Sequence, residues 1–400
     1  MKIGYVIIRE DLNSPVIQSQ VIDVLKNIAK FSDHKIYLIW FYRIDLLWKI
    51  KNKNFIFKDL KKSKIKLIVF PFISGKFPVK CFFLPFVAIQ WVLGLLFIKI
   101  NYNIKLLHCR SYNAGLAGAI LNIINKLSYI FDPRSPFPEE HIVRGRWKSN
   151  SLNYHVWKFL EKWIVDRSTA TIVTSNSFYM GLKYRSPYAK FIVLPNNVSL
   201  SNKLNLNEFH ENNKQINKIT LCYLGSLGQW NDEFLYLEFL QQLQKTNLNK
   251  FEALFVILPM SIKRLKKAIN EKNLNHRIIK VRSVLQKNVL PTIYPCTIGL
   301  QLMDHVDVRL SIKVVEYLAA GIPILTSGNV LGAADIVKKY DVGFILDSKW
   351  NNLKTAVDFI NEVNSNREYW RLHCQKIASK NFSTKVISKG LLQIYNSFKL

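Results

Sequence analysis

The chain has 400 residues, of which 49% are apolar and 21% are charged, and this length suits two ordinary domains with sizeable cores better than one. Its net charge of +30 favours polyanionic partners such as anionic lipids or phosphorylated substrates, although a coding bias towards Lys, Asn and Ile would raise the charge without any function. Five widely spaced cysteines, none in Cys-x-x-Cys spacing, argue against a disulfide framework and against a zinc site.

Short apolar runs alternate with longer helix-like segments along the chain. In the first half the strand candidates are 3–8, 36–41, 66–70, 104–108, 127–131, 170–174 and 190–194. In the second half they are 218–224, 251–258, 277–281, 298–302, 322–326 and 343–346. Continuous apolar strands separated by helices are typical of parallel sheets covered on both faces. The pattern therefore predicts an α/β protein with two doubly wound, Rossmann-like domains.

The predicted domain boundary is a polar, Asn-rich linker of low periodicity at 201–217. The N-terminal domain is predicted over 1–200 and the C-terminal domain over 218–382. Beyond residue 348 the spacing of apolar residues predicts the helices 350–364, 366–379 and 383–397. The last of them, within 383–400, is free to pack back on the N-terminal domain. The chain opens on a short strand pattern and not on a signal peptide, so we expect a cytoplasmic protein.

The most ambiguous segment is 81–98, which reads CFFLPFVAIQWVLGLLFI. Its length meets the lower limit for a membrane-spanning helix. If strands 3–8 and 104–108 share a sheet, however, both helix ends must stay on one side of the bilayer. Three interpretations remain: a buried core helix, a helix dipped into one leaflet, and a span.

A basic stretch lies upstream of that helix, with eight Lys between residues 49 and 66 and the aromatic residues Trp48, Phe55 and Phe57 among them. One interpretation is a solvated, Lys-rich surface. The other is an electrostatic contact with anionic lipid, worth about 1 kcal/mol for each well-placed Lys. The nearby apolar helix favours lipid over nucleic acid, so we expect a protein peripheral to the inner face of the cell membrane.

Polar side chains follow several predicted strands of the N-terminal domain. Because ligands of open parallel sheets bind beyond the carboxyl ends of the strands, these side chains are candidates for an acceptor site. They are Arg9, Glu10, Asp11, Gln18, His108, Asp132, Arg134, Glu139, Glu140, His141, Arg144 and Arg146. Asp132 is the candidate catalytic group among them, and a structural ion pair with Arg134 is the alternative. The group 139–146 is suited to a phosphorylated acceptor, and an ordinary surface loop is the alternative.

The stretch 307–332, DVRLSIKVVEYLAAGIPILTSGNVLG, carries the clearest local structure. Ser311 is placed as the N-cap of a helix. Gly321 follows that helix where a left-handed residue ends it, and Pro323 opens the next strand. A strand, a loop and a helix N-terminus together predict an anion site, because free amides and the helix dipole point beyond the strand end.

Three charged residues of this stretch fit a nucleoside diphosphate. The amides near Ser311 and Ile312, with Lys313 and Arg309, are placed to hold the phosphates. Glu316 lies one turn deeper, where a carboxylate can accept two hydrogen bonds from vicinal ribose hydroxyls. The alternative is an ordinary surface helix with a capping Ser.

The same stretch resembles the donor-binding signature of retaining family-4 glycosyltransferases of the GT-B fold. Members often read Ser-Pro-x-Lys-x-x-Glu-Tyr-x-Ala-x-Gly-x-Pro, and the matching residues here are Ser311, Lys313, Glu316, Tyr317, Ala319, Gly321 and Pro323. Many members carry an earlier Glu where this chain has Val308. The resemblance links that carboxylate to sugar hydroxyls, and Asp307 is the candidate substitute.

Three other stretches are similar to the same family. Residues 221–230, LCYLGSLGQW, resemble the Gly-Ser-Leu-Gly turn that opens the C-terminal domain, and Gly225 and Ser226 are its candidate phosphate contacts. Residues 191–198 resemble the segment that closes the N-terminal domain. Residues 13–21 resemble the first loop and helix, although the family's flexible glycines are missing.

The resemblance implies two Rossmann-like domains facing a central cleft, with glycosyl transfer from a nucleoside diphosphate sugar and retention of configuration. No Asp-x-Asp motif stands near the candidate site, so we expect neither a metal nor a cofactor. The expected acceptor is a lipid-linked saccharide in surface polysaccharide synthesis. A non-catalytic nucleotide-sugar or glycan-binding scaffold of the same fold is the alternative. A nucleic-acid partner is not expected, because no recognition motif accompanies the basic residues.

Overall fold

The computed structural model describes residues 1–45, 59–74, 81–200, 218–248, 250–272, 274–347 and 349–398. The chain divides into two units, one formed by Met1–Pro195 with Thr384–Leu400 and the other by Asn196–Ser383. The predicted linker 201–217 and the first part of the basic stretch, 49–58, lie outside the described residues.

The N-terminal unit contains a parallel sheet of seven described strands in the order β3-β2-β1-β4-β5-β6-β7. The strands are β1 Lys2–Ile8, β2 Lys35–Arg43, β3 Ile65–Phe72, β4 Leu106–Arg110, β5 Ser128–Asp132, β6 Ala170–Val173 and β7 Phe191–Val193. The helices are α1 Pro15–Ile17, α2 Asp23–Phe31, α3 Leu84–Tyr102, α4 Ser111–Asn125, α5 Phe137–Val143, α6 Leu152–Arg167, α7 Asn176–Arg185 and, from the C-terminus, α15 Thr384–Asn396. A π-helical turn, Gln18–Ile22, joins α1 to α2.

The C-terminal unit contains a parallel sheet of six described strands in the order β10-β9-β8-β11-β12-β13. The strands are β8 Ile219–Gly225, β9 Phe251–Ile257, β10 Ile279–Arg282, β11 Ile298–Gln301, β12 Ile324–Ser327 and β13 Gly343–Leu346. The helices are α8 Glu233–Gln244, α9 Pro259–Glu271, α10 Val289–Ile293, α11 Ile312–Ala319, α12 Leu331–Tyr340, α13 Leu353–Ser365 and α14 Arg367–Asn381.

Both sheets have the doubly wound strand order, which confirms the predicted fold class. In each unit the order reverses beside the first strand, between β1 and β4 and between β8 and β11. Ligands of such sheets bind outside the carboxyl ends of the strands at this reversal. The strands are nearly continuous apolar runs because both of their faces are buried; β9, for example, is buried throughout. All five cysteines are free thiols.

The predicted strand starts at 104 and 322 are two residues early, because each preceding helix uses these residues for its ending. Asn103 ends α3 with φ 53°, and the Ile104 amide still donates to the Lys99 carbonyl. Gly321 follows α11 with φ 77°, as predicted for a left-handed helix end. The Ile322 amide then donates to the Tyr317 carbonyl, so β12 begins only at Ile324.

Helix α3 is the ambiguous apolar segment, and its two faces have different surroundings. One face is buried in the N-terminal unit, where Trp91 is fully covered and Gly94 packs against Phe41 and Phe70. The helix connects the parallel strands β3 and β4, so a span does not fit this arrangement. The 22 residues Cys81–Tyr102 are nevertheless long and apolar enough to cross a membrane, judged by length and composition alone.

The other face of α3 is an exposed apolar stripe, which we call the α3 stripe. It contains no charged side chain, and its members recur at helical spacing of three or four residues. They are Phe82, which precedes the helix, followed by Phe86, Ile89, Leu93, Phe97 and Ile100, each more than half exposed. The core-helix interpretation therefore holds for one face only.

The C-terminal helix α15 packs within the N-terminal unit, where Leu391, Ile394 and Tyr395 join the core around β1 and α2. The Tyr395 hydroxyl lies 2.8 Å from Nδ1 of His108. On its other side, Nε2 of His108 lies 3.3 Å from Oδ2 of Asp132. This buried chain of polar contacts ties the end of the protein to the carboxyl end of β5.

Candidate functional site

The first candidate site lies at the front of α11, beyond the carboxyl ends of β8 and β11. Ser311 occupies the N-cap position with extended backbone, but its hydroxyl makes no capping bond. The hydroxyl lies instead 3.4 Å from Oε1 of Gln301. The predicted Ser cap is therefore wrong in its side-chain detail. The Ser311 side chain therefore accepts no hydrogen bond from the backbone amides of the first turn, including those of Ile312 and Lys313.

Lys313 projects from the first turn of α11 towards the end of β8. Its Nζ donates to Oδ1 of Asn231 at 3.1 Å and lies 4.4 Å from the centroid of the Tyr223 ring. Burial and, to a smaller extent, the positive charge of Arg309 together lower the pKa of Lys313 to about 7. An ammonium held this way gains free energy from a nearby anion.

Arg309 is fixed beside the same helix end by two contacts. Its Nε donates to Oδ1 and Oδ2 of Asp307 at 3.0 and 3.2 Å. Its guanidinium stacks over the Trp230 ring, 4.3 Å from the centroid. Asp307 is completely buried, and its carboxylate orients Arg309. The suggestion that Asp307 replaces the Glu missing at Val308 stays a prediction.

Glu316 lies one helical turn below the front of α11 and is 7% exposed. Its Oε1 accepts a hydrogen bond of 2.6 Å from Nε2 of Gln286. Burial raises the pKa of this carboxyl to about 7, although the hydrogen bond from Gln286 and the charge of Lys313 act in the opposite direction. A pair of hydroxyls that donated to the carboxylate would favour its ionised form.

The glycine turn after β8 provides the opposite wall. Gly225 has φ 122°, a conformation that favours glycine, and a Cβ there would lie 3.5 Å from Cε of Lys313. The Tyr223 hydroxyl donates to the Ser226 carbonyl at 2.7 Å and leaves the Ser226 side chain exposed. Paired backbone bonds between Gly228 and Asn231 then close the turn that carries Asn231 to Lys313.

The predicted donor residues are thus brought together, and three partners were missed. Trp230, Asn231 and Gln286 hold Arg309, Lys313 and Glu316 in place. Trp230 and Asn231 follow a strand at the sheet edge where ligands bind, a signal that sequence reasoning could have used. Gln286 lies 30 residues before its partner in a short 3₁₀ turn, Gln286–Asn288, and no local pattern marks it.

The second candidate site is a cavity of about 540 Å³ in the N-terminal unit, at the carboxyl ends of β1, β2, β4 and β5. We call it the N-terminal cavity. Eight of the sequence candidates line it, namely Arg9, Glu10, Asp11, Arg134, Glu140, His141, Arg144 and Arg146. Gln18 and Glu139 do not, because Gln18 donates to the Leu12 carbonyl and Glu139 pairs with Lys158.

Asp132 lies outside the lining of this cavity and is 3% exposed. Both of its oxygens lie 3.4 Å from Nη1 of Arg134, and one contacts His108. Burial acts to raise the pKa of Asp132, but Arg134 and the His108 hydrogen bond outweigh it and hold the pKa at about 2. Asp132 thus forms the predicted ion pair with Arg134, and its catalytic role stays a prediction.

One comparison with known proteins concerns the C-terminal unit. Residues 206–377 match the family model described as glycosyl transferases group 1. These residues are therefore similar to the domain that this family model describes. The match covers the turn after β8 and the whole of α11, so it includes every residue of the first candidate site. The finer family-4 assignment stays a prediction. No curated protein sequence matches the chain.

Solved structures support the same fold over the whole chain. Sucrose-phosphate synthase from Thermosynechococcus elongatus has a TM-score of 0.74 at 13% identity, over 99% of this chain and 98% of that one. HepE from Anabaena in complex with UDP has a TM-score of 0.69 at 14% identity over all of both chains. The lipopolysaccharide outer core galactosyltransferase WaaB in its apo form has a TM-score of 0.65 at 12% identity over all of both chains. The fold is therefore GT-B.

Within the described part of the chain, no group of three or more His, Cys, Asp and Glu side chains is arranged to hold a metal ion. The positive charges that an anionic ligand would meet at α11 are those of Lys313 and Arg309. The described residues at this site therefore include no set of ligands that fits a metal ion.

Proposed function

We propose that this protein is a glycosyltransferase that uses a nucleoside diphosphate sugar bound by the C-terminal unit. The observation that carries the proposal is the front of α11, where uncapped amides, Lys313 and Arg309 lie above a buried Glu316. A diphosphate complements the amides and the two cations. A ribose complements the carboxylate. The complexes of HepE with UDP and with UDP-glucose support the same class of donor.

The proposed chemistry is electrostatic. Cleavage of the bond between the sugar and the diphosphate leaves negative charge on the β-phosphate. Amides at the start of α11, with Lys313 and Arg309, stabilise that charge as it develops. Because the charge grows towards the transition state, these groups lower the barrier more than they strengthen donor binding. Retention of configuration is part of the proposal and comes from the family-4 resemblance. Independence from metal ions is also part of it, and it comes from the lack of an Asp-x-Asp motif near the candidate site.

The proposed acceptor is a lipid-linked saccharide bound by the N-terminal unit. The galactosyltransferase WaaB, which acts on lipopolysaccharide outer core by its name, shares the fold and supports a role in surface polysaccharide synthesis. The α3 stripe supports a peripheral position on the cytoplasmic face of the membrane, because an exposed apolar face of this length gains free energy in a lipid interface. The net charge of +30 favours anionic headgroups.

We expect the double variant Phe86→Ser and Leu93→Ser to bind anionic vesicles about tenfold less tightly than the wild type, because two exposed apolar side chains no longer enter the lipid. Both residues are more than half exposed, so the fold is unaffected. Cosedimentation with vesicles of phosphatidylglycerol and phosphatidylethanolamine measures the change. Leu372→Ser, at an exposed site of α14, is the matched control. Equal binding of all three proteins would exclude the stripe as a membrane contact.

UDP affinity is expected to peak near pH 7. Below that pH Glu316, whose pKa is about 7, becomes protonated, so one of its two oxygens carries a proton and no longer accepts a hydroxyl as a carboxylate does. Above it Lys313, whose pKa is also about 7, loses the charge that holds the diphosphate. Affinity falls up to about tenfold per pH unit on each side. Calorimetric titration of UDP, GDP and ADP between pH 5.5 and 9 gives the profile and the preferred base.

Two variants separate the limbs of that profile. Glu316→Gln flattens the acid side apart from the titration of the nucleotide's own phosphate, and Lys313→Met flattens the alkaline side. If both variants showed the same pH profile of UDP affinity as the wild type, the placement of the diphosphate would be contradicted. Absence of binding by all three nucleotides would contradict the proposed function itself.

A non-catalytic nucleotide-sugar scaffold is the second candidate function. The observation that favours it is the carboxylate missing at Val308, beside which Asp307 is completely buried. A scaffold binds the nucleotide with the pH profile above but turns over no donor. Release of nucleoside diphosphate from a panel of donor sugars in the presence of membrane extract distinguishes the two.

A further inference from the structure

The N-terminal cavity has an excess of positive charge. Among the described residues that line it, six are arginines and three are carboxylates. The arginines are Arg9, Arg43, Arg110, Arg134, Arg144 and Arg146. His141 adds no charge near neutral pH, because burial lowers its pKa to about 4. A wall with this balance, enclosed in protein, attracts an anion.

Several of these guanidinium groups are only partly compensated. Arg110 is 3% exposed; its Nε donates to Glu10 at 3.1 Å, while its Nη1 has no hydrogen-bond partner among the described residues. Arg144 donates to Glu140 through Nη2 at 2.8 Å, and its buried Nε is likewise without a described partner. Arg146 is exposed and forms no ion pair with a described residue. Buried donors of this kind are normally satisfied, so unsatisfied ones point to a ligand.

The backbone around the cavity is also unusual. Arg9, Ser111 and Arg134 have φ values of 68°, 67° and 63°, although none of them is glycine. Each follows the end of one of the neighbouring strands β1, β4 and β5, and all three line the cavity. Left-handed conformations of such residues cost free energy and cluster at ligand sites. Two of these three residues, Arg9 and Arg134, place an arginine in the lining of the cavity.

The apolar part of the lining suits a sugar. Trp40, Tyr42 and Phe137 contribute aromatic rings to the wall. Trp40 is fixed by a hydrogen bond of 2.9 Å from its Nε1 to the Glu10 carbonyl. A volume of about 540 Å³ lies in the range of small-molecule sites, which combine apolar walls with a few polar groups. The carboxylates Glu10, Asp11 and Glu140 supply acceptors for sugar hydroxyls.

We propose that the N-terminal cavity is the acceptor site and that it selects a saccharide carrying an anionic group, a phosphate or a carboxylate. This inference rests on the proposed glycosyl transfer and adds the chemical class of the acceptor. Arginine recognises both kinds of anion through paired donors. The anionic group lies at Arg144 and Arg146, and the sugar ring lies against the aromatic wall.

The test uses three probes with one sugar ring: glucose 1-phosphate, glucuronic acid and methyl glucoside. Binding to the full-length protein is measured by NMR titration with UDP present in excess, so that the donor site is filled. We expect at least one anionic probe to bind about tenfold more tightly than methyl glucoside, with an affinity that falls as salt rises. Whichever anion is preferred identifies the charged group of the acceptor.

Arg144→Gln and Arg146→Gln are each expected to remove the preference for the anion while UDP binding is retained. Arg167→Gln, an exposed arginine of α6 outside the cavity, is expected to change neither. Equal affinity for all three probes, or a preference that survives both cavity variants, would overturn the inference. If UDP binding instead proves insensitive to Lys313→Met, the proposed function fails, while the cavity variants still decide the anion preference separately.

Discussion

Glu316→Ala is expected to lower kcat/KM for glycosyl transfer by about a hundredfold or more. The carboxylate accepts two hydrogen bonds from the ribose in our account, and hydrogen bonds to a charged group contribute about 1.5–3 kcal/mol each. The loss of both therefore costs about 3–6 kcal/mol of transition-state stabilisation, and every 1.4 kcal/mol is about tenfold. Steady-state release of nucleoside diphosphate, with the donor that the binding experiments identify, measures the effect.

Glu316→Gln, which removes only the charge, is not expected to destabilise the protein without donor. Glu316 is buried with a single described hydrogen-bond partner, Gln286, and burial raises its pKa to about 7. Between pH 4.5 and 7 the native state binds a proton that the unfolded chain has released, so the contribution of Glu316 to stability falls as pH rises through this window. We expect Tm at pH 8 to be unchanged or higher in Glu316→Gln, which keeps the shape of the side chain.

Glu362→Gln is the matched control, because Glu362 is an exposed residue of α13 in the same unit. It is expected to retain wild-type kcat/KM. An active Glu316→Ala variant, within twofold of the wild type, would show that the pentose does not use this carboxylate. A Glu316→Gln variant that lost its cooperative unfolding would instead assign the residue to the core.

Lys313→Met should lower kcat by about a hundredfold to a thousandfold, the effect typical of removing one group that stabilises developing charge. The Lys313 ammonium lies at the end of β8, held by Asn231 and the Tyr223 ring, where Arg309 adds a second cation. Since the phosphate charge is larger in the transition state than in the bound donor, kcat falls more than KM rises. Parallel measurement of kcat and KM for donor tests this ratio.

Lys338→Met serves as the control for Lys313→Met, because Lys338 is exposed on α12 in the same unit. Lys313→Arg keeps the charge and is expected to recover part of kcat, whereas Met keeps only the length. A Lys313→Met variant with unchanged kcat and a raised KM alone would place Lys313 in ground-state binding and remove it from the chemistry. The front of α11 would then lack its principal cation.

The fold was predictable from sequence because parallel strands buried on both faces leave an unmistakable apolar pattern. The thirteen strand candidates correspond to the thirteen strands of the described residues. Their bounds differ by a few residues, and at the starts 104 and 322 the ending of the preceding helix, not strand propensity, sets the boundary.

The donor site was predictable in its centre and not at its rim. Lys313 and Glu316 share one helix with fixed spacing, so their placement follows from local structure. The partners Asn231 and Gln286 come from other elements, and only the folded chain brings them to α11. The burial of Asp307 and Asp132 was not predictable for a related reason: sequence shows a carboxylate but not its surroundings, and both are buried beside an arginine.

Helix α3 shows a further limit of sequence reasoning. Composition alone left three environments open for the segment 81–98, and the spacing of its apolar residues could not separate them because both faces are apolar. The connection of α3 to the parallel strands β3 and β4 does not fit a membrane span, and one face of the helix is buried in the N-terminal unit. The exposed α3 stripe is a surface that only the folded structure defines.

The most direct test of the account is a crystal structure of the protein with the nucleoside diphosphate that binds most tightly. We predict phosphate oxygens about 3 Å from the amides of Ile312 and Lys313, with the Lys313 Nζ turned to the same oxygens and both ribose hydroxyls on Glu316. A nucleotide bound elsewhere in the C-terminal unit, with Glu316 still held by Gln286 alone, would contradict the account.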